Sequence, residues 1–434
     1  MSKPIYIVDG ARTPFLKSRN RPGPFSAGDL ATAAGKVLLS RQPFSPTEID
    51  EVILGCAAPS VDEVNIGRVA ALRMGCGEKV PGWTVMRNCA SGMQSLDSAM
   101  ANMQSGRAEL VLAGGVDALS RAPLLLSDTM VMWLSNFYAA KTLGGKAAAL
   151  AKLRLSYLAP VIGLMKGLTD PMVGLLMGQT AENIAFRFGI TRREMDAYAA
   201  RSHARLIRAQ ENGWLDRPHH GLRAEIAPLF DDQGALYKLD DGARNDSTAE
   251  NLAKLRPFFD RKYGNVTAGN SSQITDGGAW LLLATEEAMQ RYRLQPIGRI
   301  AEVQWAGLDP AHMGLGPVVA SARILKRYGL NLNDLDAWEI NEAFAAQVLG
   351  CIAAWKDEKY CREELGLEGA MGELDPEKLN IDGGAIALGH PVGASGTRIV
   401  LHLLHVLKRI GGRKGIASIC IGGGLGGAML VETL

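Results

Sequence analysis

A cysteine at the start of a predicted helix is the side chain in this sequence best placed for covalent chemistry. Cys89 stands between an apolar run that ends at Val85-Met86 and a helical pattern over Ser91–Ser105. The N–H groups at a helix N-terminus are unpaired and carry the positive end of the helix dipole, which favours a thiolate over a thiol. A nucleophile needs that thiolate. The alternative for a lone cysteine is a buried structural role.

Three positions near the C-terminus carry groups that could serve such a nucleophile. His390 lies on the Gly- and Pro-rich turn within Gly383–Gly396, which could present an imidazole to a pocket as a general base. Cys420 ends an apolar strand before the glycine-rich run Gly422–Gly427, whose N–H groups could bind an oxyanion. Asn341 follows another apolar strand, where its amide could orient a water or a carbonyl. The alternatives are a solvated loop histidine, a buried strand cysteine and a helix N-cap.

The composition is that of an ordinary globular enzyme. The chain has 434 residues, a hydrophobic share of 47%, a charged share of 21% and a formal net charge of +2. This small net charge argues against a nucleic-acid-binding protein. The six cysteines lack metal-ligand spacing, so they predict reduced thiols and no metal site. A strand pattern starts at Ile5 with no signal or transit peptide before it, and the expected location is the cytoplasm.

Strand and helix patterns alternate in the first and last parts of the chain. The predicted strands are Ile5–Val8, Glu51–Leu54, Gly82–Met86, Glu109–Ala113, Ile297–Val303, Ala337–Ile340 and Ile416–Ile421. The predicted helices are Gly28–Leu39, Asn65–Met74, Ser91–Ser105, Pro317–Tyr328, Ala343–Trp355 and Gly396–Ile410. This alternation indicates an α/β fold with mixed, mostly parallel sheets layered with helices.

The second half of the sequence repeats the first. The order of turn, helix, glycine and strand around Cys89 occurs again around His390. We therefore expect two duplicated α/β halves, one of residues 1–117 completed by about 255–292 and one of residues 293–434. Residues 118–254 break the alternation and predict a helical loop domain that covers the active site. Its clearest helices are Met177–Phe188 and Arg192–Asn212, the second with Thr191 as N-cap.

Within the loop domain, the stretch Thr129–Thr169 contains no acidic residue. Its basic residues are Lys141, Lys146, Lys152, Arg154 and Lys166, and its many apolar residues exceed what one short helix can bury. One interpretation is a lid that packs on its own core and points its basic residues to solvent. The other is a wall of an acyl tunnel with an exposed patch for a partner subunit or an anionic membrane.

Taken together, these residues resemble the thiolase family over essentially the whole chain. Asn88–Gln94 is similar to the family's nucleophile motif. Asn341–Ala345, Gly383–Gly396 and Cys420–Gly424 are similar to its three other signatures and occur in the family's order. The long middle region with Lys254–Lys262 resembles the β-subunits of fatty-acid-oxidation complexes. That branch often has His at the position of Asn341, so the site is closer to the general thiolase pattern.

The resemblance implies an acyltransferase that uses CoA to cleave a 3-ketoacyl-CoA into acetyl-CoA and a shortened acyl-CoA, or that runs the reverse Claisen condensation. It makes Cys89 the nucleophile and His390 the base, with the backbone N–H groups of Cys89 and Gly422 as oxyanion donors. Cys420 would protonate the enolate carbon and then deprotonate CoA. Asn341 would orient a water beside the enolate oxygen. Coenzyme A is then a substrate, and neither a permanently bound cofactor nor a metal is expected.

The resemblance also implies where CoA binds, under the loop domain. Arg244 would lie near the phosphates and Ser272 near the pantetheine arm. Phe259 and Phe344 would wall the pantetheine tunnel, and Met177 would contact the substrate.

Three residues depart from the family pattern. Gln273 follows the serines of Asn270–Ser272, Trp280 stands where small residues are common, and Leu176 precedes Met177 where short-chain thiolases often place His. These departures concern the CoA and acyl contacts and leave the nucleophile untouched.

The expected partners are CoA and acyl-CoA, further copies of the chain in a homodimer or homotetramer, a fatty-acid-oxidation α-subunit, and a membrane surface contacted through 129–169. No nucleic acid is expected. Alternative functions within the fold are a biosynthetic acetoacetyl-CoA thiolase and a ketoacyl-synthase-like condensing enzyme. The latter typically has a second histidine where this chain has Cys420. An alternative of another class is a non-catalytic lipid-binding or scaffold subunit.

Overall fold

A computed structural model describes residues 3–434. The strands are β1 Ile5–Arg12, β2 Leu16–Lys17, β3 Glu51–Gly55, β4 Gly82–Val85, β5 Leu110–Ala118, β6 Leu124–Leu125, β7 Val161–Ile162, β8 Leu229–Phe230, β9 Leu236–Tyr237, β10 Thr275–Ala284, β11 Gly298–Gly307, β12 Ala337–Ile340, β13 Lys414–Ile421 and β14 Leu425–Thr433. The helices are α1 Ala27–Ser40, α2 Ile66–Arg73, α3 Ser91–Gln104, α4 Asp128–Ala139, α5 Leu143–Ala151, α6 Gly163–Gly167, α7 Met177–Phe188, α8 Arg192–Glu211, α9 Ala249–Leu252, α10 Glu286–Tyr292, α11 Gly316–Tyr328, α12 Ala345–Lys356, α13 Glu358–Leu365, α14 Ala385–Leu388 and α15 Val392–Ile410.

Ten strands form one continuous mixed sheet, so the prediction of an α/β fold is confirmed. The strand order is β12-β13-β14-β11-β1-β10-β5-β3-β4, with β2 beside β10. The expectation of mostly parallel pairing is wrong. In the part of the chain that the structure describes, three pairs of this sheet are parallel and six are antiparallel. The reason is that β10 and β14 were not anticipated as strands, and each runs antiparallel to both of its main neighbours.

The strand pairing shows the duplication directly. In the first half β5 pairs parallel with β3 and antiparallel with β10, which pairs antiparallel with β1. In the second half β13 pairs parallel with β12 and antiparallel with β14, which pairs antiparallel with β11. The halves join where Ile5–Ile7 pairs with Gly298–Ile300. The residue boundaries of the three predicted domains stay a prediction.

Two helices at the centre of the fold belong to equivalent places in the two halves. Helix α3 precedes β5, and helix α15 precedes β13. Met93, Leu96 and Met103 of α3 share one buried core with Ile399 and Leu403 of α15. Because both helices contribute to this core, the turns at their N-termini are held in a fixed relation to each other.

Most predicted elements agree with the structure within a few residues. Helix α7 and strand β12 have the predicted bounds, and Thr191 caps α8 as expected. Strand β5 continues through Gly114, which was expected to end it. At Gly114 a Cβ would lie 2.5 Å from the Trp280 ring, so the glycine serves close strand packing and is not a turn. No helix within residues 3–434 has the length and apolar character needed to cross a membrane.

Candidate active site

The loop that carries Cys89 is fixed by hydrogen bonds on both sides. Cys89 lies two residues before α3, and it follows Asn88, whose φ of 44° is left-handed. The Asn88 side-chain amide donates to the carbonyl of Gly422 at 2.8 Å, which ties this loop to the β13–β14 turn. Ser91 accepts from the N–H of Arg87 at 2.9 Å and donates to the carbonyl of Asn88 at 2.7 Å. The cysteine is therefore held at the helix N-terminus, as the sequence predicts.

Hydrogen bonds hold both the turn that carries His390 and its imidazole ring. The backbone N–H of His390 donates to the carbonyl of Gln273 at 3.0 Å. The Nδ1 of the His390 ring lies 2.6 Å from the Ser395 Oγ, and that hydroxyl donates to the carbonyl of Pro391 at 3.0 Å. When the hydroxyl proton is used at Pro391, Ser395 accepts from His390, and Nδ1 then carries the imidazole proton. In that tautomer Nε2 has the lone pair that a general base requires, 3.5 Å from the Asn341 amide.

Close helix packing brings these two turns together. A Cβ on Gly396 of α15 would lie 2.5 Å from the backbone N of Met93, and one on Gly92 of α3 would lie 2.6 Å from the carbonyl of Gly393. Only glycine permits such an approach. The buried Asp117, at the end of β5, accepts the Gly393 N–H at 2.5 Å and anchors the start of α15.

The other predicted site residues, Cys420, Gly422 and Asn341, lie at the C-terminal ends of strands β12 and β13. Cys420 is fully buried near the end of β13, close enough to Cys89 for the two thiols to interact electrostatically. Gly422 opens the β13–β14 turn, and its backbone is close enough to Cys89 to oppose the rise in the pKa of that thiol. Asn341 follows β12, and its Nδ2 lies 3.5 Å from the Nε2 of His390. Its Oδ1 is buried and has no hydrogen-bond partner within residues 3–434, so it can accept from a bound molecule.

Burial shifts the pKa values of the three titratable groups of this site. Burial raises the pKa of Cys89, and the hydrogen bond from Gly422 only partly opposes it. With its pKa raised, Cys89 rests as a thiol, and the thiolate that the helix N-terminus favours forms when a base removes the proton. Burial, together with the charge of Arg398, lowers the pKa of His390 to about 4. Burial and the neighbouring thiols raise the pKa of Cys420 well above its ordinary value. At neutral pH the site holds two thiols and a neutral imidazole.

An apolar cavity of about 530 Å³ leads to His390. Four of the five predicted CoA contacts line it, namely Met177, Phe259, Ser272 and Phe344. The Phe259 and Phe344 rings meet edge to face with their centroids 5.9 Å apart. Leu164, Met165 and Leu168 of the acid-free stretch also line the cavity, together with Leu176. Part of that stretch is therefore a cavity wall, although Leu150 and Leu153 are absent from the lining.

The fifth predicted contact, Arg244, lies outside this lining. Its side chain is exposed, and its backbone N–H donates to the Nδ1 of His203 at 3.2 Å. It is nevertheless close to Lys17, which does line the cavity. This proximity is reflected in the pKa of Lys17, which is lowered by burial and then by the charges of Arg244 and Arg19. Of these three cations only Lys17 lines the cavity, and Arg19 is paired with Asp241 at 2.9 Å.

Two of the departures from the family pattern have structural explanations. Gln273 lines the cavity, and its Nε2 donates to the carbonyls of Gly242 and Ala387 at 2.8 and 2.9 Å. It therefore fixes the turn before His390. Trp280 is fully buried in the sheet, and its Nε1 donates to the carbonyl of Ala31 at 2.8 Å. The expectation that Trp280 alters CoA or acyl contacts is wrong, because its ring packs against helix α1 and strand β5.

Sequence reasoning missed three residues that position the site. They are Ser395, which orients His390; Asn88, which binds the Gly422 carbonyl; and Glu342. The buried Glu342 carboxylate accepts from Tyr198, Ser202 and Asn380, and so joins the loop domain to the segment before His390. A serine five residues after the histidine, in the first turn of a predicted helix, was the one available signal. Within residues 3–434 no group of three His, Cys, Asp or Glu side chains is placed to hold a metal ion.

Ser395→Ala is expected to slow alkylation of Cys89 by iodoacetamide about tenfold at neutral pH, the cost of one lost hydrogen bond. Without Ser395 the Nδ1–H tautomer of His390 is no longer favoured, so the base assists Cys89 less often. The difference should vanish as the pH rises past the raised pKa of Cys89, because the thiolate then forms without the base.

Ser95→Ala is the matched control, since this buried serine bonds only within α3, to the carbonyl of Gly92. Peptide mass spectrometry after timed quenching gives the rate at Cys89 alone. Equal rates for wild type and Ser395→Ala at neutral pH would show that Ser395 only packs.

Comparison with known proteins covers the chain from end to end. The model for the thiolase N-terminal domain matches residues 5–287, and the model for the thiolase C-terminal domain matches residues 294–433. The chain is 36% identical over 430 residues to a 3-ketoacyl-CoA thiolase of Aliivibrio fischeri, covering 99% of this chain and 95% of that protein. It is 37% identical over 429 residues to one of Shewanella halifaxensis, covering 99% and 96%.

Solved structures give the same result. Human mitochondrial 3-ketoacyl-CoA thiolase in complex with CoA is similar with a TM-score of 0.83 and 35% identity, covering 100% of this chain and 98% of that one. Acetyl-CoA acetyltransferase of Bacillus anthracis is similar with a TM-score of 0.83 and 36% identity, covering 100% and 99%. With both domain models matched in order and full-length similarity in sequence and fold, the chain belongs to the thiolase family.

Proposed function

We propose that this protein catalyses the CoA-dependent cleavage of 3-ketoacyl-CoA into acetyl-CoA and a shortened acyl-CoA through an acyl-enzyme on Cys89. The observation that carries the proposal is an apolar cavity lined by His390, whose turn packs directly against the helix that follows Cys89. The Asn341 amide lies 3.5 Å from the His390 ring, and Cys420 is near enough to Cys89 for that thiol to raise its pKa. This set supplies a nucleophile, a base and a second proton donor.

The first step is the attack of Cys89 on the 3-keto carbon. The Sγ–C3 bond forms while Nε2 of His390 takes the thiol proton, and the C3 carbonyl oxygen becomes an alkoxide. Since the pKa of His390 is lowered to about 4 and that of Cys89 is raised, the thiolate forms only as it attacks. The backbone N–H groups of Cys89 and Gly422 would stabilise the alkoxide.

Collapse of the alkoxide breaks the C2–C3 bond and leaves the shortened acyl group on Cys89. The electron pair passes to C2, giving the enolate of acetyl-CoA, whose oxygen would be held by protonated His390 and by a water on Asn341. Cys420 donates its proton to C2, and its raised pKa keeps that proton available at neutral pH. The Cys420 thiolate next takes the proton of the incoming CoA thiol. The CoA thiolate attacks the thioester carbon, the bond from that carbon to the Cys89 sulfur breaks, and the Cys89 thiolate takes back its proton from His390.

Coenzyme A enters this scheme as a substrate. The cavity residues Ser272, Phe259, Phe344 and Met177 would contact the pantetheine arm and the acyl chain. Backbone pairing of Ser271 with Phe344 and the bond from the Ser272 N–H to the carbonyl of Ala343 at 2.9 Å hold the two sides of this wall together. The cations Lys17, Arg19 and Arg244 would face the phosphates.

Lys17→Ala and Arg244→Ala are each expected to raise the KM for CoA about two- to fivefold with kcat unchanged, the range for solvated charge pairs. The cations act on the phosphates, far from the reacting carbon, so they contribute equally to ground and transition states. The Arg244 backbone bond to His203 survives in the alanine variant.

Steady-state kinetics with varied CoA at low and high salt measure the effect, which should shrink as salt screens the charges. Lys238→Ala is the control, an exposed lysine outside the cavity lining. A fall in kcat with KM unchanged would contradict phosphate binding by these residues.

The test of the overall proposal is the initial rate of thiolysis across short, medium and long 3-ketoacyl-CoA substrates. Rates should be measurable and should depend on CoA, and the length series defines the acyl preference. Acetyl-CoA condensation without thiolysis of longer substrates would favour the biosynthetic acetoacetyl-CoA thiolase. Release of CO₂ from a malonyl donor would favour the condensing enzyme. No turnover at any length, with no acyl group on Cys89, would favour the non-catalytic subunit.

A homo-oligomer is part of the proposal. Strand β4 ends the sheet, and it has no strand on its outer side within residues 3–434. Exposed strand edges pair readily with another chain, and β4 leads directly into the Cys89 loop, so a second copy on this edge would support the site. The proposal also includes a homodimer or homotetramer, association with a fatty-acid-oxidation α-subunit, and location in the cytoplasm. Sedimentation of the purified chain tests the first of these.

A further inference from the structure

Residues 124–168 form a lobe, hereafter the apolar lobe, whose apolar side chains face solvent. It contains β6, α4, α5, β7 and α6, and none of its three helices has a buried residue. Leu143 and Leu155 are each 88% exposed, and Tyr138 is 77% exposed. The other exposed apolar residues are Leu124, Leu125, Leu126, Val131, Met132, Leu150, Leu158, Ile162 and Met165. Exposed apolar surface this dense marks a contact site for another molecule.

The apolar lobe is an ordered element with its own internal contacts. Trp133 of α4 donates its Nε1 hydrogen to the carbonyl of Ala149 in α5 at 2.8 Å. The Trp133 and Phe137 rings stack with centroids 5.5 Å apart, and Lys146 lies 6.0 Å from the centre of the Phe137 ring. A lid that packs on its own core explains these half-buried aromatic residues. It leaves the exposed leucines and methionines unexplained.

The charge of the apolar lobe is strongly one-sided. Its basic residues Lys141, Lys146, Lys152, Arg154 and Lys166 are all exposed, and its one acidic residue is Asp128. None of the five basic side chains lies within ion-pair distance of a carboxylate in residues 3–434. The surface therefore offers apolar side chains and unneutralised positive charge together.

We propose that the apolar lobe docks on an anionic lipid bilayer, lying in the interface without crossing it. Short helices with aliphatic and aromatic side chains and with lysines bind in this way. A bilayer supplies an apolar medium for the leucines and negative charge for the lysines. The lobe is also continuous with the cavity, since Leu164, Met165 and Leu168 line it near His390. Docking would hold the cavity at the membrane surface, where long acyl chains partition; this last point rests on the proposed function.

Co-sedimentation with vesicles tests the docking without any substrate, so it is independent of catalysis. The full chain is mixed with vesicles of phosphatidylcholine alone, or of equal parts of phosphatidylcholine and phosphatidylglycerol. Binding is compared at about 0.1 M and about 1 M salt, where the screening length falls from about 10 Å to about 3 Å. Binding to anionic vesicles that weakens at high salt, with little binding to neutral vesicles, is the expected result.

Two sets of variants separate charge from insertion. Lys146→Glu with Lys152→Glu and Arg154→Glu should weaken partitioning more than about a hundredfold, since each basic residue contributes about fivefold. The control is Lys36→Glu with Lys79→Glu and Lys326→Glu, which makes the same change in net charge at exposed positions outside the lobe. Leu143→Ser with Leu155→Ser should also weaken binding, whereas Phe186→Ser, at a residue 91% exposed on α7, should leave it unchanged.

Several results would overturn the proposal. Negligible sedimentation of the wild type with anionic vesicles at low salt is one, and equal loss in the lobe and control charge variants is another. If Leu143→Ser with Leu155→Ser instead changes the oligomeric state in solution and leaves vesicle binding intact, the lobe is covered by a second copy of the chain. Thiolysis of a short substrate is measured on the same variants, so that a failure of membrane docking can be distinguished from a failure of the proposed function.

Discussion

Cys89→Ala is expected to reduce 3-ketoacyl-CoA thiolysis by about five to six orders of magnitude, the loss typical of removing a catalytic nucleophile. No other thiol can replace it. Cys420, its neighbour, is fully buried, and its raised pKa suits a proton donor and not a nucleophile. The variant should fold normally, because Cys89 is only partly buried and the loop is held by bonds of Asn88 and Ser91.

The measurement combines steady-state rates with mass spectrometry of the protein incubated with 3-ketoacyl-CoA in the absence of free CoA. Wild type should carry an acyl group on the peptide that contains Cys89, and the variant should carry none. Cys76→Ala, at a buried cysteine in the core of the first half, is the control and should behave as wild type. An acyl group found on a different cysteine would remove Cys89 from the role.

Cys420→Ala is expected to lower turnover by about a hundred- to ten-thousandfold, the usual cost of losing one proton-transfer group. Acylation of Cys89 from an activated thioester should remain, because that step uses His390. The sharper readout is exchange of the methyl protons of acetyl-CoA with deuterium from solvent. This exchange requires a group that removes and returns a proton at C2, so it should be lost in the variant.

Cys351→Ala is the matched control for this prediction. Cys351 is also fully buried, and it is near enough to contribute to the raised pKa of Cys420, but it has no place in the proposed proton path. Its alanine variant should retain the deuterium exchange. Normal exchange in Cys420→Ala would mean that this thiol only fills space in the core.

Local signals explain which elements could be predicted from the sequence. Helix α8 has Thr191 with Glu194 three residues later, a capping box that the structure contains. Helix α11 ends at Gly329, whose φ of 62° is the left-handed C-cap that glycine favours. Where such capping residues are present, the predicted and observed helix bounds agree closely.

The sheet was harder to predict because its direction is set by long-range pairing. Strand β10 is buried at all ten positions, so it shows no alternation, and it follows a long excursion after β5. Its pairing with β1 on one side and β5 on the other makes the sheet mainly antiparallel there. The alternation of strands and helices along the chain cannot reveal a strand whose pairing partners are so distant in sequence.

The site was predictable in its residues and not in its electrostatics. Cys89, His390, Cys420 and Asn341 come from motifs, and the structure places Asn341 beside His390 and Cys420 near Cys89. The protonation states depend on how deeply each group is buried, and burial follows from the packing of the whole chain. The helix N-terminus at Cys89 is a local feature that was visible in the sequence, whereas the burial that raises the pKa of Cys89 was not.

The repeated pairing of the two halves has a consequence for how such a site could arise. Cys89 precedes α3 and His390 precedes α15, so the two groups occupy equivalent turns. Two identical chains associated through these helices would place the same side chain at both turns, thiol against thiol or imidazole against imidazole. Gene duplication and fusion removes that restriction, because each copy can then mutate alone. In this account, the pairing of a thiol with an imidazole became accessible to selection only after the two copies were encoded in one chain.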